Sequence, residues 1–244
     1  MLWKKTWQPE IALLLVGAVV LAFFMGSAAV ELLVHFGAPG FRTPDSVGSV
    51  LLATLSFHGM AIIAGVLFLK LHDISWREAL GWRSDNWKNL LLLTVLVLAA
   101  VLPVMFGLKY VSELVLNKMG WEVEDQRAVE MFSGITSTWM KVYFGFFTVV
   151  LAPVAEEFFF RGLLFSAAKK YGRPGLGWIG VSLLFAFIHF SAPIFLPLFV
   201  LALALTWLYE KTEGLLAPML AHSLFNAVNL GLLFLTEHAG HPPS

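Results

Sequence analysis

The chain reads as an all-α fold, a polytopic bundle of seven to eight transmembrane helices, on three grounds. Its 244 residues are 59% hydrophobic and only 13% charged, with a mean hydropathy of +0.80; ordinary soluble domains carry roughly 25% charge. The apolar residues fall into runs long enough to cross a bilayer as helices, which satisfy their backbone polar groups internally. The cations gather on alternate connections between those runs. Net charge is zero, which suggests no nucleic-acid partner, and the absence of cysteine removes disulfides, thiolate metal sites and a cysteine nucleophile together.

The first span is expected at about residues 11–34, behind a flank of Trp3, Lys4, Lys5 and Trp7 that suits an interfacial anchor. Ser27-Ala28-Ala29 faintly resembles a signal-peptidase site. The apolar run is too long for a signal-peptide core and more spans follow, so it reads as a retained span. A loop with Pro39, Gly40 and Pro44 leads to a second span at 47–69, whose one ionisable group is His58. An intramembrane histidine standing alone reads as a hydrogen-bonded structural residue more readily than as a functional one. The third span is expected at 90–108, kinked by Pro103. The polar stretch that follows holds either an amphipathic surface helix or lid within 109–132, or a solvated loop.

The fourth span covers 138–168. Next, Pro174 to Tyr209 contains 36 residues without Asp, Glu, Lys or Arg, where one span needs about 20. Ser191-Ala192-Pro193 divides it into spans at 175–190 and 194–209, and the seventh span is 215–236. The whole of 1–244 is then one integral membrane domain without repeats. With the amino terminus inside, the inner flanks hold Lys4, Lys5, Lys70, Arg77, Arg83, Lys88, Lys169, Lys170, Arg173 and Lys211, and the outer flanks hold Arg42, Lys109, Lys118 and Arg127. That asymmetry argues for a cytoplasmic amino terminus.

Glu156, Glu157 and Arg161 lie inside the apolar fourth span, where ionisable groups are costly and mark a functional site by default. Counting from the nearest charged turn at about 1.5 Å per residue places Glu156 and His189 roughly 20 Å deep, His222 roughly 16 Å and Asn226 roughly 22 Å. Three separate segments therefore bring polar groups to one depth. Glu157 and Arg161 stand at i and i+4 in the favourable acid-first order and read as a self-neutralising pair. Glu156, turned about 100° away, remains as the free carboxylate. His222 and Asn226 are also i and i+4, presenting two hydrogen-bonding groups together. Phe185 shares a face with His189 and is expected to pack on the imidazole or exclude water. Pro153 loosens the helix one turn before Glu156. A carboxylate and an imidazole in a low-dielectric pocket can act as base and acid on water, and a second imidazole with an amide can stabilise an oxyanion. Glu156, His189 and His222 form an alternative zinc ligand set, although the short-range His-Glu-x-x-His signature is absent.

The pattern resembles a known family. Glu156-Glu157-Phe158-Phe159-Phe160-Arg161 is similar to the Glu-Glu-x-x-x-Arg motif of the CPBP intramembrane endopeptidases, the CAAX proteases and bacteriocin-processing enzymes also called the Abi family. Phe185 to His189 resembles their Phe-x-x-x-His motif, and His222 to Asn226 their His-x-x-x-Asn motif. Each motif is weak by itself; three in order on separate apolar segments are specific. The resemblance, strongest to the type II CAAX prenyl endopeptidases, implies an eight-helix membrane protease in which Glu156 with His189 activates water, His222 and Asn226 form the oxyanion site, and Glu157 and Arg161 support. It implies a metal-independent reaction in preference to a zinc-dependent one. The expected partners are the lipid bilayer and a hydrophobic, lipidated or membrane-tethered peptide or protein, and the expected location is a bacterial or archaeal plasma membrane. Midplane carboxylates and histidines also serve proton-coupled transporters, and a catalytically silent immunity or scaffold protein is a third reading.

Overall fold

The computed structural model describes residues 2, 6–43, 46–82, 86–121, 135 and 137–239, with side chains to residue 235. Among the described residues eight helices follow one another, α1 Pro9–His35, α2 Val47–Leu71, α3 Trp76–Leu80, α4 Trp87–Lys118, α5 Thr138–Lys170, α6 Pro174–Phe187, α7 Ala192–Thr212 and α8 Leu216–Ala239, and no strand occurs. Six of them, α1, α2, α4, α5, α7 and α8, are long and apolar enough to cross a membrane. The protein is a multi-pass helical bundle, as its composition predicts.

Several boundaries move. The helix of the third span runs unbroken through Pro103 to Lys118, so residues 109–118 prolong α4 rather than begin a separate surface helix. The rest of the expected amphipathic stretch, 122–132, lies outside the described residues. The segment expected at 175–190 is a helix of 14 residues, roughly 21 Å long and short of the ~30 Å hydrocarbon core. It ends before His189, and the chain reverses through Phe190 in the left-handed region at φ 48°.

Bundle association in lipid depends on close packing, because lipid tails are as apolar as leucine and give helices no hydrophobic reason to meet. Small residues supply the closeness here. A Cβ added at Gly26 of α1 would fall 2.3 Å from Cβ of Ser56 on α2, and one at Gly65 of α2 would fall 2.9 Å from the Phe158 ring on α5. The innermost span is α7: half of its apolar window is buried, against 17% for α1, α2 and α4, which leaves most of those three for lipid. Leu201, Ala202, Leu205, Leu208 and Tyr209 of α7 are buried. Phe158, Phe159 and Phe160 are buried too, so this aromatic run is helix packing rather than lipid contact.

One end of the bundle is held by polar contacts. Trp7 Nε1–H donates to the Leu2 carbonyl at 2.7 Å, and the Trp7 ring meets Phe68 edge-on with centroids 5.0 Å apart. Tyr171 donates to Glu10 at 3.1 Å, Lys169 pairs with Glu210, and the Leu215 N–H donates to Ala79 of α3 at 3.1 Å. The start of α1, the end of α5 and the α7–α8 turn therefore share one face. A Ser75/Glu78 capping box starts α3, and Gly81 ends it at φ 67°.

Candidate active site

Three stretches of π-helix surround the polar residues: Leu55–Gly59 in α2, and Phe147–Leu151 and Phe158–Phe165 in α5. Such insertions widen the turn, redirect side chains and are frequent at functional sites. The middle one has a local cause. Ala152 N–H donates five residues back to Phe147; the next bond in that register would come from residue 153, which is proline and has no N–H. Thr148 keeps its carbonyl free as a result, and Asn226 Nδ2 of α8 donates to it at 2.8 Å.

Glu157 and Arg161 form the pair that their spacing predicts, 2.9 Å apart and both fully buried. The guanidinium also donates to α7: Nη2 to the Ala202 carbonyl at 2.9 Å and Nε to Thr206 Oγ1 at 3.3 Å. Its Cζ lies 5.1 Å from the Phe185 ring centroid, a cation–π contact with α6. A buried cation is tolerable only when paired and hydrogen-bonded, and here one arginine ties α5, α6 and α7 together. The same Glu157 Oε1 takes a second neighbour, His222 Nδ1 at 3.0 Å.

Glu156 is also buried, and it is not the free carboxylate that the spacing suggests. Its Oε1 lies 3.3 Å from Nε2 of His58. Its Oε2 has no hydrogen-bond partner among the described residues, with His222 Nε2 3.8 Å away. Two imidazoles thus approach this carboxylate, one from α2 and one from α8. His222 thus bridges the two glutamates, with Nδ1 toward Glu157 and Nε2 toward Glu156.

His189 sits at the end of α6 with Nδ1 2.7 Å from the Phe185 carbonyl. Nδ1–H is the donor of that bond, which fixes the tautomer and leaves Nε2 as the basic atom. Phe185 fills the role its spacing suggests: fully buried, it packs against His189 and His222 with centroids 4.9 and 5.6 Å away. Asn226 lies one turn beyond His222, but its recorded bond runs to Thr148 rather than toward the point His222 faces.

His58 is the residue that sequence reasoning set aside. Standing alone in α2, it read as structural; the structure instead brings it onto Glu156, 98 residues away in sequence. The signal was available in the depth count, since His58 lies twelve residues before Lys70, roughly 18 Å in. Among the described residues no group of three His, Asp or Glu side chains is arranged to hold a metal ion.

Residues 138–228 match the Rce1-like family, described as type II CAAX prenyl endopeptidase Rce1-like. The matched stretch contains Glu156, Glu157, Arg161, Phe185, His189, His222 and Asn226 and omits α1, α2 and α4, so the family likeness read from the three motifs is borne out where they stand. Among curated proteins the chain is similar to UPF0177 protein YajF of Lactococcus lactis subsp. lactis (strain IL1403), 26% identical over 160 residues that make up 65% of this chain and 73% of the relative. It is also similar to UPF0177 protein YaiF of the same strain, 28% identical over 152 residues, 60% of this chain and 65% of the relative. No solved structure matches.

Proposed function

We propose that the chain is an intramembrane endopeptidase that hydrolyses a peptide bond of a lipidated or otherwise membrane-associated substrate. The observation that carries this reading is a buried carboxylate with one unpartnered oxygen, Glu156 Oε2, flanked by the imidazoles of His58 and His222, within a stretch that matches an endopeptidase family.

In the proposed reaction Glu156 and His189 take a proton from water, whose oxygen bonds to the scissile carbonyl carbon. His189 Nε2 is the ring atom left for this task once Nδ1 is bound to Phe185. The carbonyl oxygen becomes an oxyanion, stabilised by Nε2–H of His222 as the imidazolium, whose Nδ1–H is held by Glu157, and by the second N–H of the Asn226 amide, the first being engaged on Thr148. The carbon–nitrogen bond then breaks, and the proton taken from water goes to the leaving amine. Glu157 and Arg161 hold His222 and the three helices in register. No step calls for a metal; a zinc ion on Glu156, His189 and His222 is the alternative that chelation tests. The cation asymmetry supports a cytoplasmic amino terminus, and the proposed location is a bacterial or archaeal plasma membrane.

The test is cleavage by the purified protein in detergent, with peptides offered in lipidated and unlipidated forms. Glu156→Ala and His189→Ala are expected to abolish cleavage while both variants remain folded, and the lipidated peptides are expected to be cut faster. Cleavage by both variants at the wild-type rate would remove the assignment.

A further inference from the structure

We infer that His58 is a positioning residue of this site: its Nε2–H holds Glu156 Oε1, which leaves Oε2 as the oxygen that meets the reacting water. The inference rests on the endopeptidase reading for its catalytic consequence and on geometry for the contact itself.

His58 comes from α2, a helix outside the family-matched stretch, so its place at the site follows from the packing of this chain. Its Nε2 lies 3.3 Å from Glu156 Oε1. The ring is clamped by two aromatic edges, Phe57 at 5.0 Å and Phe147 at 4.9 Å between centroids. It stands in the π-helical stretch Leu55–Gly59, facing the α5 segment whose own π-helical stretches flank Glu156. The clamp matters because a carboxylate with two equivalent oxygens can swing; one donor on Oε1 removes that freedom. The two oxygens are accordingly unequal, Oε1 bonded and Oε2 unpartnered beside His222. His58 Nδ1 is buried with no hydrogen-bond partner among the described residues. The ring's one bond is therefore the one to Glu156, which places its proton on Nε2 because a carboxylate only accepts.

The experiment compares His58→Phe, which fills the ring space without a donor, with His58→Gln, whose amide N–H reaches about as far as Nε2. Both are made in the full chain and purified in detergent. Against the lipidated peptide that the wild type cleaves, His58→Phe should lower kcat on the order of 100-fold, the cost of misplacing a reacting group by about an ångström. KM should stay near the wild-type value, and His58→Gln should recover most of kcat. Infrared difference spectra read the same contact without any substrate: the carboxylate bands absent from Glu156→Gln should shift in His58→Phe and return in His58→Gln. Unchanged kcat in a folded His58→Phe, or carboxylate bands that do not move, would overturn the assignment. If the wild type cleaves no peptide, the endopeptidase reading falls while the infrared comparison still decides the contact.

Discussion

Asn226 Nδ2 donates to the carbonyl of Thr148 at 2.8 Å, the oxygen that Pro153 leaves without a partner in the π-helical register. The proline opens α5 one turn before Glu156, and an amide from α8 closes the opened position. An orphaned buried carbonyl costs about 1–3 kcal/mol, so Asn226→Ala should destabilise the bundle by that amount in a denaturant titration in mixed micelles. Residue 153 regains its N–H in Pro153→Ala and can reach Thr148 itself. The loss caused by Asn226→Ala should therefore be smaller in the Pro153→Ala background, by a coupling of roughly 0.5–3 kcal/mol. Equal losses in both backgrounds would show that Asn226 does not serve this carbonyl.

Gly26 and Ser56 set the distance between α1 and α2, two residues from His58. A Cβ at position 26 would lie 1.9 Å from Ser56 Oγ and 2.3 Å from its Cβ, and Ser56 is held by its bond to the Leu52 carbonyl at 2.7 Å. Gly26→Ala must therefore push the helices apart, an overpacking that costs about 1–3 kcal/mol. Removing the opposing side chain with Ser56→Gly should restore most of the lost stability. Thermal unfolding of the two single variants and the double variant checks this; a double variant no more stable than Gly26→Ala would place the clash elsewhere.

Much of this arrangement could be read before the structure was known. Glu157 with Arg161, and Phe185 with His189, follow from helix periodicity, because i and i+4 fix a face whatever else the chain does. The common depth of Glu156, His189 and His222 followed from counting residues along spans. What periodicity cannot supply is rotation about each helix axis, and that decided the rest. It turns His58 onto Glu156, directs Asn226 to Thr148 and lets His222 reach both glutamates. The π-helical stretches were equally hidden, since they shift register by one residue without changing the apolar pattern. The extension of α4 to Lys118 was missed because its final stretch carries Lys109 and Glu113, an i,i+4 pair at 3.4 Å that reads as a polar connection by composition and as helix by spacing.

Strong chelators are expected to leave peptide cleavage unchanged. Among the described residues no three side chains are grouped for a metal, and the proposed reaction uses the remaining Nε2 atoms of His189 and His222 on water and oxyanion. His189 Nδ1 is bound to Phe185 and His222 Nδ1 to Glu157. Activity is to be measured before and after prolonged treatment with a tight zinc chelator. Loss of cleavage that added zinc restores would replace the water-activating carboxylate by a zinc site on Glu156, His189 and His222.

Glu156 and Glu157 are neighbours with opposite expected consequences. Glu157 faces a fully buried arginine at 2.9 Å and a buried histidine at 3.0 Å. Replacing it by glutamine keeps the shape and removes the charge that compensates Arg161. Breaking one side of a buried ion pair costs about 3–5 kcal/mol because the remaining charge is stranded, so Glu157→Gln should unfold at distinctly lower denaturant. Arg161→Lys should fare little better, since one ammonium cannot reproduce the three directed bonds to Glu157, Ala202 and Thr206. Glu156 has no such partner: its contacts are imidazoles at 3.3 and 3.8 Å. Glu156→Gln should therefore keep close to wild-type stability while losing cleavage. Parallel unfolding and peptide-cleavage measurements on the two glutamine variants separate the roles; equal destabilisation of both would mean that Glu156, too, belongs to the structural network.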